Sequence, residues 1–398
     1  MSIKFADSER STIGIEWELQ LIDRDSLDLR QCGDLVVDRA RELNPDSELI
    51  HGEMLRNTVE LVSGKQTNVA ACAEDLQRGV DMLAPVIDPL RIDLASAGSH
   101  PFANPEFQRV SDSERYAKLV NRTQYWGRQM LLYGTHVHVG VEDFRKVLPI
   151  LNYLLTKLGL MQALSASSPF WGGVDTRYCD NRAMVFQQLP TAGTPRQFTE
   201  WHQLEEYTAG LRKTGVIGSF NEVRWDIRPS PALGTIEVRV CDAASNLTEV
   251  RAAAALIHAL VETASRRLDA GEELPTIPPW FLDENKWRAA RYGMDATLIE
   301  NANGDEASVK ETLPALLEQL APAARDLNCL EDLEALYDIA ASGVGYQRQR
   351  AVVERTGTLE AVVEHMCAEF ESGKPVSAYD FEYDPRGMRF PDSGNRGW

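Results

Sequence analysis

Polar and apolar side chains alternate along TIGIEWELQLI, residues 12–22. That period of two belongs to a strand, with Ile13, Ile15, Trp17 and Leu19 on one face and Glu16 and Glu18 on the other. TVELV at 58–62 predicts a second strand. The period then changes. Apolar positions 69, 72, 76, 80, 83 and 87 follow helical spacing from Val69 to Ile87. RIDLASA at 91–97 predicts a strand running into Gly98-Ser99-His100-Pro101. Asp112 is placed to cap a helix reaching about Met130, and LLYGTHVHVGV reads as a strand. The most apolar stretch, Val147 to Leu164, predicts a core helix, because Asn152 and Lys157 interrupt it too soon for a membrane span.

Residues 165–235 are rich in Gly, Pro, Thr and aromatics, as long active-site loops are, with one helix fitting within 199–213. GTIEVRV at 234–240 is a strand. A helix over 248–269 has Thr248 to cap it and Gly271 just past its end. After the PTIPPW turn the pattern stays helical to about Phe370. Strands with interspersed helices, then helices alone, predict an α+β fold. The expected organisation is one catalytic domain over 1–372, with its sheet within 1–250 and a helical part over 251–372. A Gly/Pro/aromatic tail, 373–398, reads as a docking arm or a partly disordered segment.

Charge narrows the partners. The 398 residues carry a formal net charge of −19, which repels phosphate backbones and anionic lipids. Nucleic acid and membrane partners are therefore not expected, and an anionic substrate would need local arginines. The six cysteines form no CxxC pair and read as buried hydrophobes in a reducing compartment. MSIKFADSER offers no apolar signal region, so a cytoplasmic protein is expected.

The candidate chemistry lies on the strands' polar faces. Glu16 and Glu18 sit ~6.5 Å apart on one face, where their repulsion favours an intervening cation. Taken singly, the pair is better explained as a solvent-facing surface. His136 and His138 repeat the layout, as metal or phosphate ligands or as satisfied core histidines. Glu237 and Arg239 repeat it again, with Glu60 inside TVELV and Glu53 just before it. Three strands with one polar face each are harder to assign to solvent than any one of them. Carboxylates with imidazole and no thiolate favour magnesium or manganese, and magnesium accompanies phosphates. Arg182, Arg224, Arg228, Arg348 and Arg350 could hold carboxylates or phosphates bidentately. No P-loop or GxGxxG cradle and no GxSxG elbow occurs.

In series, GIEWEL, TVELVSG, GSHPF, ERYAKL, GTHVHVGV, WDIRPSPALGTIEVRVCD and RQRAVVERTG resemble the bacterial type 2 glutamate–cysteine ligases, the carboxylate–amine ligases. The motifs stand in that family's order over about residues 12–371. The resemblance implies a curved, mainly antiparallel sheet of the glutamine-synthetase-like type, with helices behind it, holding ATP and divalent ions. It implies Glu16, Glu18, Glu53, Glu60, His136 and Glu237 as metal ligands. His138 would lie near the ATP phosphates and Arg239 would face the transferred phosphate. His100, Arg224 and Arg228 would contact substrate or nucleotide, and Arg182, Arg348 and Arg350, read from the residues alone, are expected to do the same. Trp17 departs from the family's first motif, but it points to the opposite face.

The activity expected is an ATP- and Mg2+-dependent (or Mn2+-dependent) joining of a carboxylate, such as L-glutamate, to an amine, such as L-cysteine, through an acyl phosphate. A homodimer is the assembly considered. The rival readings are a zinc amidohydrolase on a TIM barrel, which would place HxH after the first strand, and a catalytically silent ligand-binding relative.

Overall fold

A computed structural model describes residues 3–383. Its strands are β1 (Ile13–Asp23), β2 (Ile50–Gly52), β3 (Thr58–Val62), β4 (Ile92–Ala95), β5 (Thr135–Gly140), β6 (Phe170–Trp171), β7 (Val174–Asp175), β8 (Ile227–Ser230) and β9 (Thr235–Val238), with a separate antiparallel pair, β10 (Thr297–Ile299) and β11 (Glu306–Ser308), interrupting the helical run expected after PTIPPW. Seven of them form the main sheet, in the order β2-β3-β1-β5-β9-β8 with β4 also paired to β1. Every pairing in it is antiparallel. An antiparallel sheet of this kind removes the TIM barrel, whose strands are parallel, from the possible scaffolds. The observed class is α+β, as expected.

The helices, in chain order, are α1 (Gly33–Leu43), α2 (Val69–Ile87), α3 (Glu114–Thr123), α4 (Tyr125–Arg128), α5 (Phe144–Leu155), α6 (Leu158–Ser165) and α7 (Asn181–Phe186). They continue with α8 (Trp201–Lys213), α9 (Leu247–Asp269), α10 (Pro279–Tyr292), α11 (Val309–Asp326), α12 (Leu330–Ser342), α13 (Gly345–Thr356) and α14 (Glu360–Ser372). The alternation on the strands explains where they pack. Ile13, Ile15, Trp17, Leu19, Val137, Val139, Ile236 and Val238 are all buried. Each such aliphatic side chain withdrawn from water contributes roughly 1.5–3 kcal/mol. Helices α2 and α9 cover this apolar side of the sheet. At Gly79 of α2 an added Cβ would lie 2.9 Å from Leu61 of β3, so glycine is what allows the close approach. Helices α11 and α12 pack on α9 in turn, and one hydrophobic core runs from Ile13 to Tyr346.

Several expected boundaries move. The helix after Asp112 starts beyond Ser113, and Gln124, at φ 50°, breaks it between α3 and α4. Asn246, not Thr248, caps α9, because its side chain accepts the Glu249 N–H at 3.0 Å. Thr248 instead donates through Oγ1 to the Gly373 carbonyl at 2.8 Å, tying the start of the tail to α9. The apolar stretch 147–164 is two helices, α5 and α6, bent by 60°. Lys157, at the break, reaches Glu300 at 3.6 Å. No single described helix is long and apolar enough to cross a membrane. Within 165–235, expected as loops with one helix, the structure adds β6–β8 and α7. Of the expected tail, 384–398 lies outside the described residues.

Candidate active site

Residues directly opposite each other in an antiparallel pair share a face of the sheet. The registers place Glu60 opposite Glu18, His136 opposite Glu16, Glu237 opposite His138, and Arg228 opposite Glu237. One polar row therefore crosses β3, β1, β5, β9 and β8. It floors a cleft of about 490 Å³, walled by Glu53, by Arg115 and Tyr116 of α3, by Arg182 of α7 and by Arg224 and Arg239. The layout inferred from three separate strand motifs is one contiguous surface.

Glu16 bridges both histidines. His136 Nδ1 donates to its Oε2 at 2.8 Å, and His138 Nε2 donates to its Oε1 at 3.2 Å. Burial alone would raise the Glu16 pKa, but these two imidazoles hold it well below the usual carboxylate range. Burial, helped by the nearby Arg239 charge, pulls His136 down to about 4, so it is neutral near pH 7. Its Nε2 faces Arg182 Nη2 at 3.4 Å, which leaves Nδ1 turned toward the carboxylates. In His138 burial acts in the same direction but loses to the Glu16 hydrogen bond and the Glu237 charge, and its pKa is raised. Its Nδ1 meets Thr235 Oγ1 at 3.0 Å.

The other end of the row is purely acidic. Oxygens of Glu18, Glu53 and Glu60 lie within 4.8 Å of one another. Glu18 is pushed up to about 8 by burial and then by the Glu53 charge, although Arg182 and the Gly134 N–H, at 2.6 Å, pull the other way. Burial and the same crowding by Glu53, Glu16 and Glu18 raise Glu60 well above its ordinary value. Tyr116 donates to Glu53 Oε2 at 3.2 Å. Two further groups with the same spacing are Glu16–Glu60–His136 and Glu16–His138–Glu237. Crowded carboxylates with imidazoles at one end, no cysteine, and too little positive charge at the acidic end are a donor set that fits a hard divalent cation.

Arginines occupy the opposite end. Arg228 Nε donates to Glu237 Oε2 at 2.6 Å, and Arg239 Nη1 donates to Glu237 Oε1. Burial would raise the Glu237 pKa, yet Arg239, His138 and Arg228 keep it ionised. The Arg239 N–H donates to the Asp226 carbonyl at 2.8 Å, while its buried Nε meets no partner among the described residues. Arg182 lines the cleft but clamps backbone, donating to the Arg239 carbonyl at 3.1 Å. It fits because residue 134 is glycine: a Cβ there would lie 2.2 Å from Arg182 Nη2.

Three of the expected contact residues lie elsewhere. His100 is buried, with Nε2 donating to the Leu27 carbonyl at 3.0 Å and Nδ1 accepting the Ala103 N–H at 3.0 Å. Arg348 is buried between Glu369 and Glu249, at 2.5 and 2.8 Å. Arg350 pairs with Asp175 at 2.9 Å. None of the three lines the cleft; His100 and Arg348 are held by fixed protein partners, and Arg350 Nη2 also donates to the Tyr178 carbonyl at 2.9 Å. Arg115 and Tyr116 are cleft residues that strand alternation does not reveal. Both sit on an exposed helix whose spacing says nothing about what it covers.

Residues 12–365 match the model of glutamate–cysteine ligase family 2. The chain belongs to that family. A relative from Mycobacterium ulcerans, provisionally named glutamate–cysteine ligase 2, is 50% identical over 370 residues spanning 93% of each chain. Another, from a Nocardioides species and provisionally named glutamate–cysteine ligase 2-3, is 48% identical over 94% of this chain and 100% of its own. Family membership makes the protein an ATP-dependent ligase. Among solved structures, a glutamate–cysteine ligase from Francisella tularensis in complex with AMP matches with a TM-score of 0.65 at 12% identity. That match covers 92% of this chain and 90% of the other. A bifunctional glutathione synthetase from Pasteurella multocida matches with a TM-score of 0.64 at 13% identity, over 91% of this chain and 52% of its own. At such identities the likeness is one of fold.

Proposed function

We propose that the protein joins a carboxylate of L-glutamate to the amine of L-cysteine with cleavage of ATP. The observation that carries this reading is the single row of acids and imidazoles across adjoining strands, ending at Arg228 and Arg239. In the first step a substrate carboxylate oxygen attacks the γ-phosphorus, giving an acyl phosphate and ADP. In the second the amine attacks the acyl carbon, phosphate leaves, and the nitrogen loses a proton.

Glu16, Glu18, Glu53, Glu60, His136 and Glu237 would hold Mg2+ or Mn2+, and neutral His136 suits a ligand's role. Bound there, the divalent ions would neutralise charge on the phosphate oxygens. His138, whose basicity is raised, and Arg239 would hold the transferred phosphoryl group. The unpaired Arg239 Nε supports this, since an anion would complete its hydrogen bonding. Arg224 and Arg228 would orient the substrates, while Arg182 would keep the Arg239 backbone in place. A cytoplasmic location fits a reaction that draws on ATP and a free thiol amino acid.

The test is ADP release by the purified protein with ATP, Mg2+, L-glutamate and L-cysteine, omitting each in turn. Glutamate labelled with 18O in its carboxylates should deliver one label to inorganic phosphate; unlabelled phosphate would rule out the acyl phosphate. Zinc-dependent amide hydrolysis without ATP would favour the amidohydrolase reading instead.

A further inference from the structure

A second cavity, of about 460 Å³, opens beside the cleft. Arg115, Leu119 and Arg224 line both, so they form the wall between them. Lys118 and Arg122 line only the side groove. On α3 the spacing of Arg115, Lys118 and Arg122 puts all three on one helical face.

The acids nearby do not balance these cations. Glu114 reaches Lys118 at 3.3 Å. Glu222 Oε1 is taken by the N–H groups of Gly218 and Ser219, at 2.9 and 3.0 Å. Arg224 has no carboxylate within salt-bridge distance among the described residues; its Nη1 donates to the Glu222 carbonyl at 3.0 Å. Arg115 stacks over the Tyr116 ring at 5.6 Å and forms no ion pair among the described residues. Burial and the surrounding arginines, Arg115 first, pull the Arg224 pKa down to about 10, outweighing the nearby Glu222 charge. In a chain of net charge −19 this local excess of positive charge is a binding feature rather than a consequence of composition.

We propose that the side groove holds an anionic extension of the acid substrate, so that the enzyme accepts acidic peptides carrying free carboxylates beyond the reacting one. The inference rests on the ligase reading above and deepens it. A groove of this volume is within the ~300–1,000 Å³ range of small-ligand sites. Guanidinium forks at its entrance would hold one carboxylate bidentately, and Lys118 and Arg122 would meet a second farther along.

The experiment compares L-glutamate, glutamyl-glutamate and glutamyl-glutamine, an isostere that lacks only the second side-chain carboxylate, as acid substrates, with L-cysteine and MgATP held constant. ADP release gives kcat/KM for each. Glutamyl-glutamate is expected to exceed glutamyl-glutamine by ~10-fold or more, the scale of a lost charge-assisted hydrogen bond. In the double variant Lys118→Glu, Arg122→Glu that ratio should fall to one or below. A wild-type ratio near one, or the same ratio in the variant, overturns the proposal. So does a rise in KM for ATP that is equal with all three acids, which would give the groove to the nucleotide. Calorimetric titration of the two dipeptides into each protein reads the same ratio without turnover. If no acid supports ADP release while glutamyl-glutamate still binds more tightly than glutamyl-glutamine to wild type alone, the ligase reading fails and the groove stands. Equal binding of both dipeptides overturns the groove.

Discussion

Arg239 is held by its backbone as firmly as by its charge. Its N–H meets Asp226, its carbonyl receives Arg182, and its Nη1 meets Glu237, while its buried Nε has no partner among the described residues. Arg239→Lys keeps the charge and removes the planar fork. Turnover should fall by roughly 10²–10³-fold, or ~2.7–4 kcal/mol in the barrier, with a near-normal melting midpoint. ADP release at saturating ATP, beside a thermal melt, separates the cases; a large fall in midpoint would make Arg239 a structural partner of Glu237. His100 supplies a different residue-level test. Burial lowers its folded pKa to about 4, against an unfolded value near 6.5. Between those values the unfolded chain binds more protons, so stability is full above pH ~6.5 and is lost as pH falls toward 4. Replacing His100 with Gln should flatten that part of the stability–pH curve in denaturant titrations. An unchanged slope would assign the acid sensitivity to the other buried histidines.

At the scale of elements, the same period-two alternation that buries one face of β1, β3, β5 and β9 displays the other, so the floor of the site was legible before any coordinates. What alternation cannot supply is register. Nothing in TVELV says that Glu60 stands opposite Glu18 rather than a residue to either side. Strand β8 was hidden because IRPS carries a proline inside a Gly/Pro-rich stretch, as an edge strand tolerates. The bend between α5 and α6 was hidden because both sides of it are equally apolar. Arg348 and Arg350 lie outside the cleft, and the sequence does not show it because their acidic partners come from distant segments. The same blindness covers the buried pair of Lys286 in α10 and Asp226, at 2.6 Å, which fastens the helical half to the segment entering β8. Lys286→Met should cost ~3–5 kcal/mol in denaturant unfolding, because the Asp226 carboxylate stays buried without its counter-charge. Adding Asp226→Asn should recover part of that loss. A cost below ~1 kcal/mol, with no recovery in the double variant, would show that the pair does not join the two parts.

For the whole molecule, the acidic excess and the site make one electrostatic problem. A chain of net charge −19 has gathered Glu18, Glu53 and Glu60 within 4.8 Å of one another in one cleft. The fold tolerates that crowding at a cost in stability, since each carboxylate is desolvated beside others of the same sign. A ligand that binds the folded state alone stabilises it by RT ln(1 + [L]/Kd), which is ~2.7 kcal/mol at a hundredfold excess over Kd. Mg2+ or Mn2+ should therefore raise the melting midpoint without nucleotide, and excess chelator should reverse the rise. Ionic strength alone should not reproduce it, because matched NaCl screens the surface but does not ligate the crowded oxygens. Glu60→Gln separates relief of repulsion from coordination. With chelator present the variant should be at least as stable as wild type, because the cost of burying a crowded, ionisable carboxylate has gone. With Mg2+ it should gain less than wild type, because one ligand has gone as well. A variant that gains as much from Mg2+ as wild type would place the cation elsewhere in the cleft. A variant less stable in chelator would show that Glu60 is held by a favourable contact rather than crowded by its neighbours.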